Sequence, residues 1–207
     1  MRKLIDLSME IYDNMPVHPY DDKVRLYQDK FLDKDKFVNH KLETEMHTGT
    51  HIDTPMHLID SDTYISEISL DRFTGNGVLL DVRNEAVIKY KDEYADIVRE
   101  NDIVLLFTGH GSKFGTEGYY KSYPVVADDL AEFFIKKKIK MLGMDLPSPD
   151  NYPYEIHKKL FRNNILIAEN LANLPELSGA KNIYVMAFPL KIRAEASPAR
   201  VAAWAEF

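Results

Sequence analysis

Cysteine is absent from the 207 residues. Its absence rules out disulfides, thiolate metal ligands and a cysteine nucleophile, and it fits a reducing compartment. No apolar run approaches the ~20 residues that a membrane-spanning helix needs. The opening Met-Arg-Lys-Leu-Ile-Asp reaches an acid by its sixth residue, without the apolar segment of a secretion signal. A cytoplasmic protein without membrane partners is expected. Basic charge is in the minority, 26 Lys and Arg against 33 Asp and Glu, for a net charge of -7. A nucleic-acid partner is therefore not expected, since phosphate binding needs clustered positive charge. The one basic cluster, Lys136-Lys137-Lys138 with Lys140, follows an apolar helical pattern and reads as a solvated helix end. No G-x-S-x-G run is present, which argues against a serine-triad hydrolase. No internal repeat, low-complexity tract or Pro/Gly/Ser linker divides the chain, so residues 1–207 read as one domain.

The composition is that of an ordinary globular protein, 45% apolar and 29% charged. Short β-rich runs fall at Lys3–Ser8, Val24–Gln28, Phe37–Met46 and Gly77–Val82. Others fall at Ile103–Thr108, Met141–Met144, Ile165–Ala168, Ile183–Phe188 and Val201–Trp204. Helical patterns cover about Asp92–Glu100, Asp128–Lys138 and Tyr154–Arg162. Val104-Leu105-Leu106-Phe107 and Ile165-Leu166-Ile167-Ala168 have the continuous apolar character of strands buried on both faces. Strand–helix–strand order predicts an α/β class with a substantial mixed sheet and a nearly all-β N-terminal third.

The most concentrated chemistry lies in His47-Thr-Gly-Thr-His51-Ile-Asp53-Thr-Pro-Met-His57. Three of the chain's seven histidines and a carboxylate share these eleven residues. Imidazole nitrogen and carboxylate oxygen suit zinc, manganese, iron or cobalt, and mixed sets of this kind are more often catalytic than structural. Gly49, Pro55 and the threonines disfavour a helix here. A straight strand would hold His47 and His51 roughly 13 Å apart. They can share an ion only if the chain bends, and Gly49 is the residue best able to bend it. A strand end running into a curled loop is expected, with Thr54-Pro55 re-extending the chain toward His57.

Two further candidates lie far along the chain. His157 falls on the helix Tyr154–Arg162, and Glu169 follows the strand Ile165–Ala168, at the C-terminal edge where α/β folds place their chemistry. The Gly109-His110-Gly111-Ser112 turn could bind an anion or simply connect two elements.

The histidine run resembles the signature of the bacterial kynurenine formamidase and cyclase-like metal hydrolase family. Asp6-Leu-Ser8, Met15-Pro-Val-His-Pro19, Thr108-Gly109-His110, Gly143-Met-Asp145-Leu-Pro-Ser148-Pro-Asp150, Pro189-Leu-Lys191 and Ser197-Pro-Ala-Arg200 are similar to other parts of it. The likeness covers nearly the whole chain. It implies a compact β/β/α fold, with a barrel-like β core and flanking helices, and a homo-oligomer, a dimer or tetramer. It also implies His47, His51, Asp53, His157 and Glu169 as ligands of one or two divalent ions, zinc before manganese, with His57 as catalytic acid/base. The family's formamidases carry a substrate-contacting tryptophan at the position of His18. Here the sole tryptophan is Trp204, so His18 and Tyr20 are expected at the substrate.

The chemistry of such a set is hydrolysis. A divalent ion acidifies water and polarises a carbonyl, while a histidine just past the ligands passes the proton to the leaving amine. The expected reaction is cleavage of a C–N bond in a small aryl or cyclic amide. The alternatives are hydrolysis of a lactam or lactone ring, a cyclase reaction, or a non-catalytic protein that binds metal and a small acid. A mere binder has no need of His57.

Overall fold

A computed structural model describes all 207 residues. Its strands and helices run, in chain order, β1 (Arg2–Asp6), β2 (Arg25–Lys30), α1 (Leu32–Asp35), β3 (Asn39–Glu43), β4 (His51–Asp53), β5 (Thr74–Asp81), β6 (Val87–Ile88), α2 (Tyr94–Ile97), β7 (Ile103–Phe107), β8 (Val125–Val126), α3 (Asp128–Lys137), β9 (Met141–Met144), α4 (Glu155–Arg162), β10 (Leu166–Glu169), β11 (Asn182–Pro189) and β12 (Ala196–Glu206).

Side-chain alternation decides where the core lies. In β7, Ile103, Leu105 and Phe107 enter one buried cluster, while Val104 and Leu106 enter another. In β10, Leu166 and Ala168 join the first cluster and Ile167 the second. These strands are apolar throughout because both faces are covered, as their sequences indicate. The first cluster fills the inside of a barrel. The second packs under α3 and α4, through Leu130, Phe134, Leu160 and Phe161.

The barrel closes in the order β12-β11-β5-β7-β9-β10-β4, because β4 pairs both with β10 and with the start of β12. Strands β5, β7, β9 and β10 are mutually parallel, and β4, β11 and β12 complete the ring by antiparallel pairing. β1 adds antiparallel to the far half of β12, so the two ends of the chain lie side by side. The barrel interior is tight at Gly143. A Cβ there would stand 2.8 Å from Leu105 Cδ2 and 2.8 Å from Leu171 Cδ1. The β2–β3 hairpin stands apart from the barrel sheet.

Several sequence expectations shift. The helix expected over Asp92–Glu100 is the single turn α2; Val98 is extended, and the Asp102 carboxylate accepts the Arg99 N–H at 2.7 Å, drawing the chain out of the helix. The strand expected at Phe37–Met46 contracts to β3, and that at Val201–Trp204 lengthens to the eleven-residue β12. Around the histidines, the curl comes first and the strand second, since residues 46–50 turn before His51–Asp53 form β4. Thr54-Pro55 does not re-extend the chain. Thr54 is extended, as a residue before proline should be, but Pro55 opens a 3-10 turn over Pro55–His57, its fixed φ suiting a first helical position.

Candidate metal centre

The 46–50 turn and β4 together make a claw. Gly49 takes φ +58°, a left-handed conformation that glycine adopts without penalty, and this reverses His47 toward β4. In β4, His51 and Asp53 lie two residues apart and so share a face. β10 runs antiparallel beside it with Glu169 opposite His51, and α4 lowers His157 onto the same spot. Residues from two distant segments of the sequence thus converge.

The distances define two overlapping sets of ligand atoms, His47–His51–Asp53 and Asp53–His157–Glu169, each with its ligand atoms within 4.8 Å of one another. His51 Nε2 stands 3.4 Å from Asp53 Oδ1 and 3.3 Å from Glu169 Oε2. His157 Nε2 stands 3.2 Å from Glu169 Oε1 and 4.0 Å from Asp53 Oδ2. His47 Nδ1 stands 2.9 Å from Asp53 Oδ1. Asp53 belongs to both sets.

Two imidazoles have their tautomers set from behind. His51 Nδ1 donates to the Gly49 carbonyl at 2.9 Å, and His157 Nδ1 donates to Asp150 Oδ1 at 2.5 Å. Each ring therefore presents Nε2 forward, the arrangement by which metal-binding histidines are oriented. The Gly49 carbonyl also accepts Asn170 Nδ2 at 3.0 Å, and Asn170 Oδ1 accepts the Tyr119 hydroxyl at 2.6 Å. The buried side-chain atoms His51 Nε2 and Asp53 Oδ1 have no hydrogen-bond partner. Two buried lone-pair groups facing each other, at roughly 1–3 kcal/mol for each unsatisfied group, require a proton or a cation between them. A divalent ion fits this donor set of imidazole and carboxylate.

The electrostatics agree. Burial opposes charge on His47, but the nearby charge of Asp53, with Glu169 and Glu195, lifts it to about 9. Burial likewise opposes charge on His157, yet hydrogen bonds to Asp150 and Glu169 raise it to about 10. Asp53 resists its own desolvation through His47 and His51 and is held well below the carboxylate range. His57 is the exception. Burial, together with the positive charge of His47 and His157, outweighs Asp53 and pulls it down, so its imidazole stays neutral.

The 3-10 turn at Pro55–His57 places the His57 ring 4.2 Å from that of His47 and 6.3 Å from that of His157, centroid to centroid. His57 and the two ligand sets line one cavity of about 190 Å³. His18 lines it too, whereas Tyr20 is 94% exposed and its ring packs 5.4 Å from His18, outside the lining. The tyrosines at the cavity are Tyr120, Tyr123 and Tyr154.

A sequence profile described as "Putative cyclase" matches residues 5–151. The chain belongs to this cyclase family. It is similar to the kynurenine formamidase of Bacillus cereus, with 28% identity over 95% of this chain and 94% of that protein. An uncharacterized protein of Methanocaldococcus jannaschii is 31% identical over 96% of this chain and 97% of its own length. Among solved structures, a potential metal-dependent hydrolase with cyclase activity is 26% identical, with a TM-score of 0.80 and complete coverage of both chains. An isatin hydrolase bound to the product analogue thioisatinate shares the fold, with a TM-score of 0.89 at 22% identity, covering 100% of this chain and 93% of that one.

Within this cyclase-family frame, His47, His51, Asp53, His57, His157 and Glu169 are brought together as the sequence suggested. Asp150, Asn170 and the cavity tyrosines were missed. The sequence carried a faint signal for Asp150, seven residues before His157 and one turn before a helix. The tyrosines carried none, because loops separate them. The Gly109-His110-Gly111-Ser112 turn does gather N–H groups around an anion, but that anion is the Asp145 carboxylate, which accepts from Thr108 N at 2.8 Å and Gly109 N at 2.8 Å. The turn is a structural connection.

Proposed function

We propose that this chain is a metal-dependent hydrolase cleaving the C–N bond of a small aryl or cyclic amide. The observation that carries the reading is the pair of candidate ligand sets sharing Asp53, with His57 lining the same cavity. The kynurenine formamidases among its relatives support an amide substrate. His47, His51 and Asp53 would hold one divalent ion, and Asp53, His157 and Glu169 a second; zinc is the first candidate and manganese the next. Such ions supply acidified water and withdraw electron density from a carbonyl oxygen.

The remaining work falls to the chain's own residues. The neutral His57 imidazole accepts a proton as water attacks the carbonyl carbon, and delivers it to the nitrogen as the C–N bond breaks. The cavity would seat the ring of the substrate beside Tyr120, Tyr123 and Tyr154. Asp150 and the Gly49 carbonyl hold the ligand imidazoles in one tautomer, so no reorganisation is needed during turnover.

Metal analysis paired with turnover tests this. His51→Ala should lower metal content and activity together. His57→Ala should keep the metal and lower turnover of an aryl formamide by about 10²–10⁴-fold. Loss of metal from His57→Ala would make His57 a ligand and end its assigned role. A panel containing an aryl formamide and a lactam decides between open-chain and ring substrates. The expected homo-oligomer, dimer or tetramer, draws support from exposed Leu32, Phe37 and Val38 on and beside the β2–β3 hairpin, and light scattering on the eluted protein measures it. A cytoplasmic location is part of the same reading, checked by fractionation. No helix is long and apolar enough to cross a membrane.

A further inference from the structure

One part of the cavity wall, made by His18, Asp21 and Tyr120, has its own chemistry, and Asp21 is its centre. The loop Pro16–Asp21 folds back so that Asp21 N–H donates to the His18 carbonyl at 2.9 Å. This sets the Asp21 side chain, the His18 ring and the Tyr120 ring at one place, the two rings meeting edge to face with centroids 5.7 Å apart. Asp21 is half-buried and lines the cavity, and no lysine or arginine does so. Its charge reaches inward. Burial raises the Tyr120 hydroxyl, and the Asp21 carboxylate raises it further.

A carboxylate without a cationic partner, held beside tyrosine rings in a concave site, is the arrangement that recognises an ammonium group. The carboxylate supplies charge, and the electron-rich ring faces add cation–π attraction. A carboxylate on the substrate would be repelled by Asp21; no guanidinium or ammonium lines the cavity, and the raised imidazoles of His47 and His157 are already paired with Asp53, Asp150 and Glu169. Resting on the amide-hydrolase reading above, we propose that Asp21 makes this site selective for aryl amides that carry a positively charged amine and no free carboxylate. Asp21 is here a specificity-determining residue and takes no part in breaking the bond.

Three matched substrates separate the charges: N-formylkynurenine, which carries both groups, its decarboxylated amine, and its deaminated acid. With the metal-loaded protein, kcat/KM should rank amine above zwitterion above acid, each step about three- to tenfold and expressed mainly in KM. In Asp21→Asn the amine-to-acid ratio should fall about tenfold, and in Asp21→Lys the ranking should reverse. A wild-type ratio near one, or an Asp21→Asn variant that slows all three substrates equally, overturns the inference and marks Asp21 as merely structural. If none of the three is hydrolysed, the hydrolase reading fails instead. Calorimetric binding of the amine and the acid to the same metal-loaded proteins then decides the charge preference alone, by the same ratios.

Discussion

Individual residues at the metal centre act through one another. Asp150 supplies no atom to the ligand sets, yet its carboxylate accepts hydrogen bonds from His157 Nδ1 at 2.5 Å and Ile156 N–H at 2.7 Å, tying the ring to the first turn of α4. Asp150→Asn keeps the shape but replaces an acceptor-only group with an amide. Metal affinity measured by chelator competition should fall about 10–100-fold, and excess metal should restore much of the activity. Unaltered affinity would show that α4 alone orients the ring. Protons compete for the same atoms. In the metal-free protein, His47 is lifted to about 9 and His157 to about 10, above the ordinary value of 6.5. Groups raised on folding contribute stability that is complete below the unfolded value and is lost as pH rises through the folded one. The metal-free protein should therefore lose stability between about pH 6.5 and pH 10. Added zinc, relieved of proton competition, should raise Tm more at pH 9 than at pH 6, as a thermal-shift series would show.

Among the elements, the short strand β4 bears most on the proposed function, because it both closes the barrel and carries two of the proposed ligands, His51 and Asp53. Its register against β10 places Glu169 opposite His51, and its register against β12 places Ala196 opposite Asp53. A slip by one residue would turn both His51 and Asp53 to the other face. Barrel closure therefore fixes the site. Closure itself depends on close strand packing at β9. Gly143→Ala puts a methyl group 2.8 Å from carbons of Leu105 and Leu171, inside a filled interior. We expect about 1–3 kcal/mol of destabilisation and a Tm lower by roughly 2–10 °C, read by calorimetry. An unchanged Tm would mean that the barrel relaxes locally.

For the molecule as a whole, the two chain ends are neighbours. β1 pairs with β12 from Arg2↔Glu206 to Asp6↔Ala202, and Ile5 and Leu7 join the core inside the barrel. The interior and outer clusters share β7, β9 and β10, whose alternate residues serve one or the other. Neither cluster can come apart while the other stays packed. Unfolding should be a single cooperative transition. Fluorescence of Trp204 on β12 and far-ultraviolet circular dichroism should report the same midpoint. Separated midpoints would reveal independently unfolding parts and argue against one domain spanning residues 1–207.

The amino-acid sequence determined what depends on local pattern. Short continuous apolar runs located Met141–Met144 without error and β7 and β10 to within a residue or so at each end, and α3 followed from acids at its start and lysines at its end. The spacing of His47, His51, Asp53 and His57 announced metal chemistry, since few other uses need that many imidazoles in eleven residues. Tertiary structure decided what depends on distant segments meeting. β4 is three residues long and exists only because β10 and β12 flank it, so no propensity marks it. Glu169 faces His51 through strand register, and Asp150 reaches His157 through the loop before α4. Tyr20 was expected at the substrate because it neighbours His18, but the chain turns it outward. The cavity wall is formed instead by Tyr120, Tyr123 and Tyr154, together with Asp21. Side chains contributed by separate loops have no period to read, and only the folded backbone brings them together.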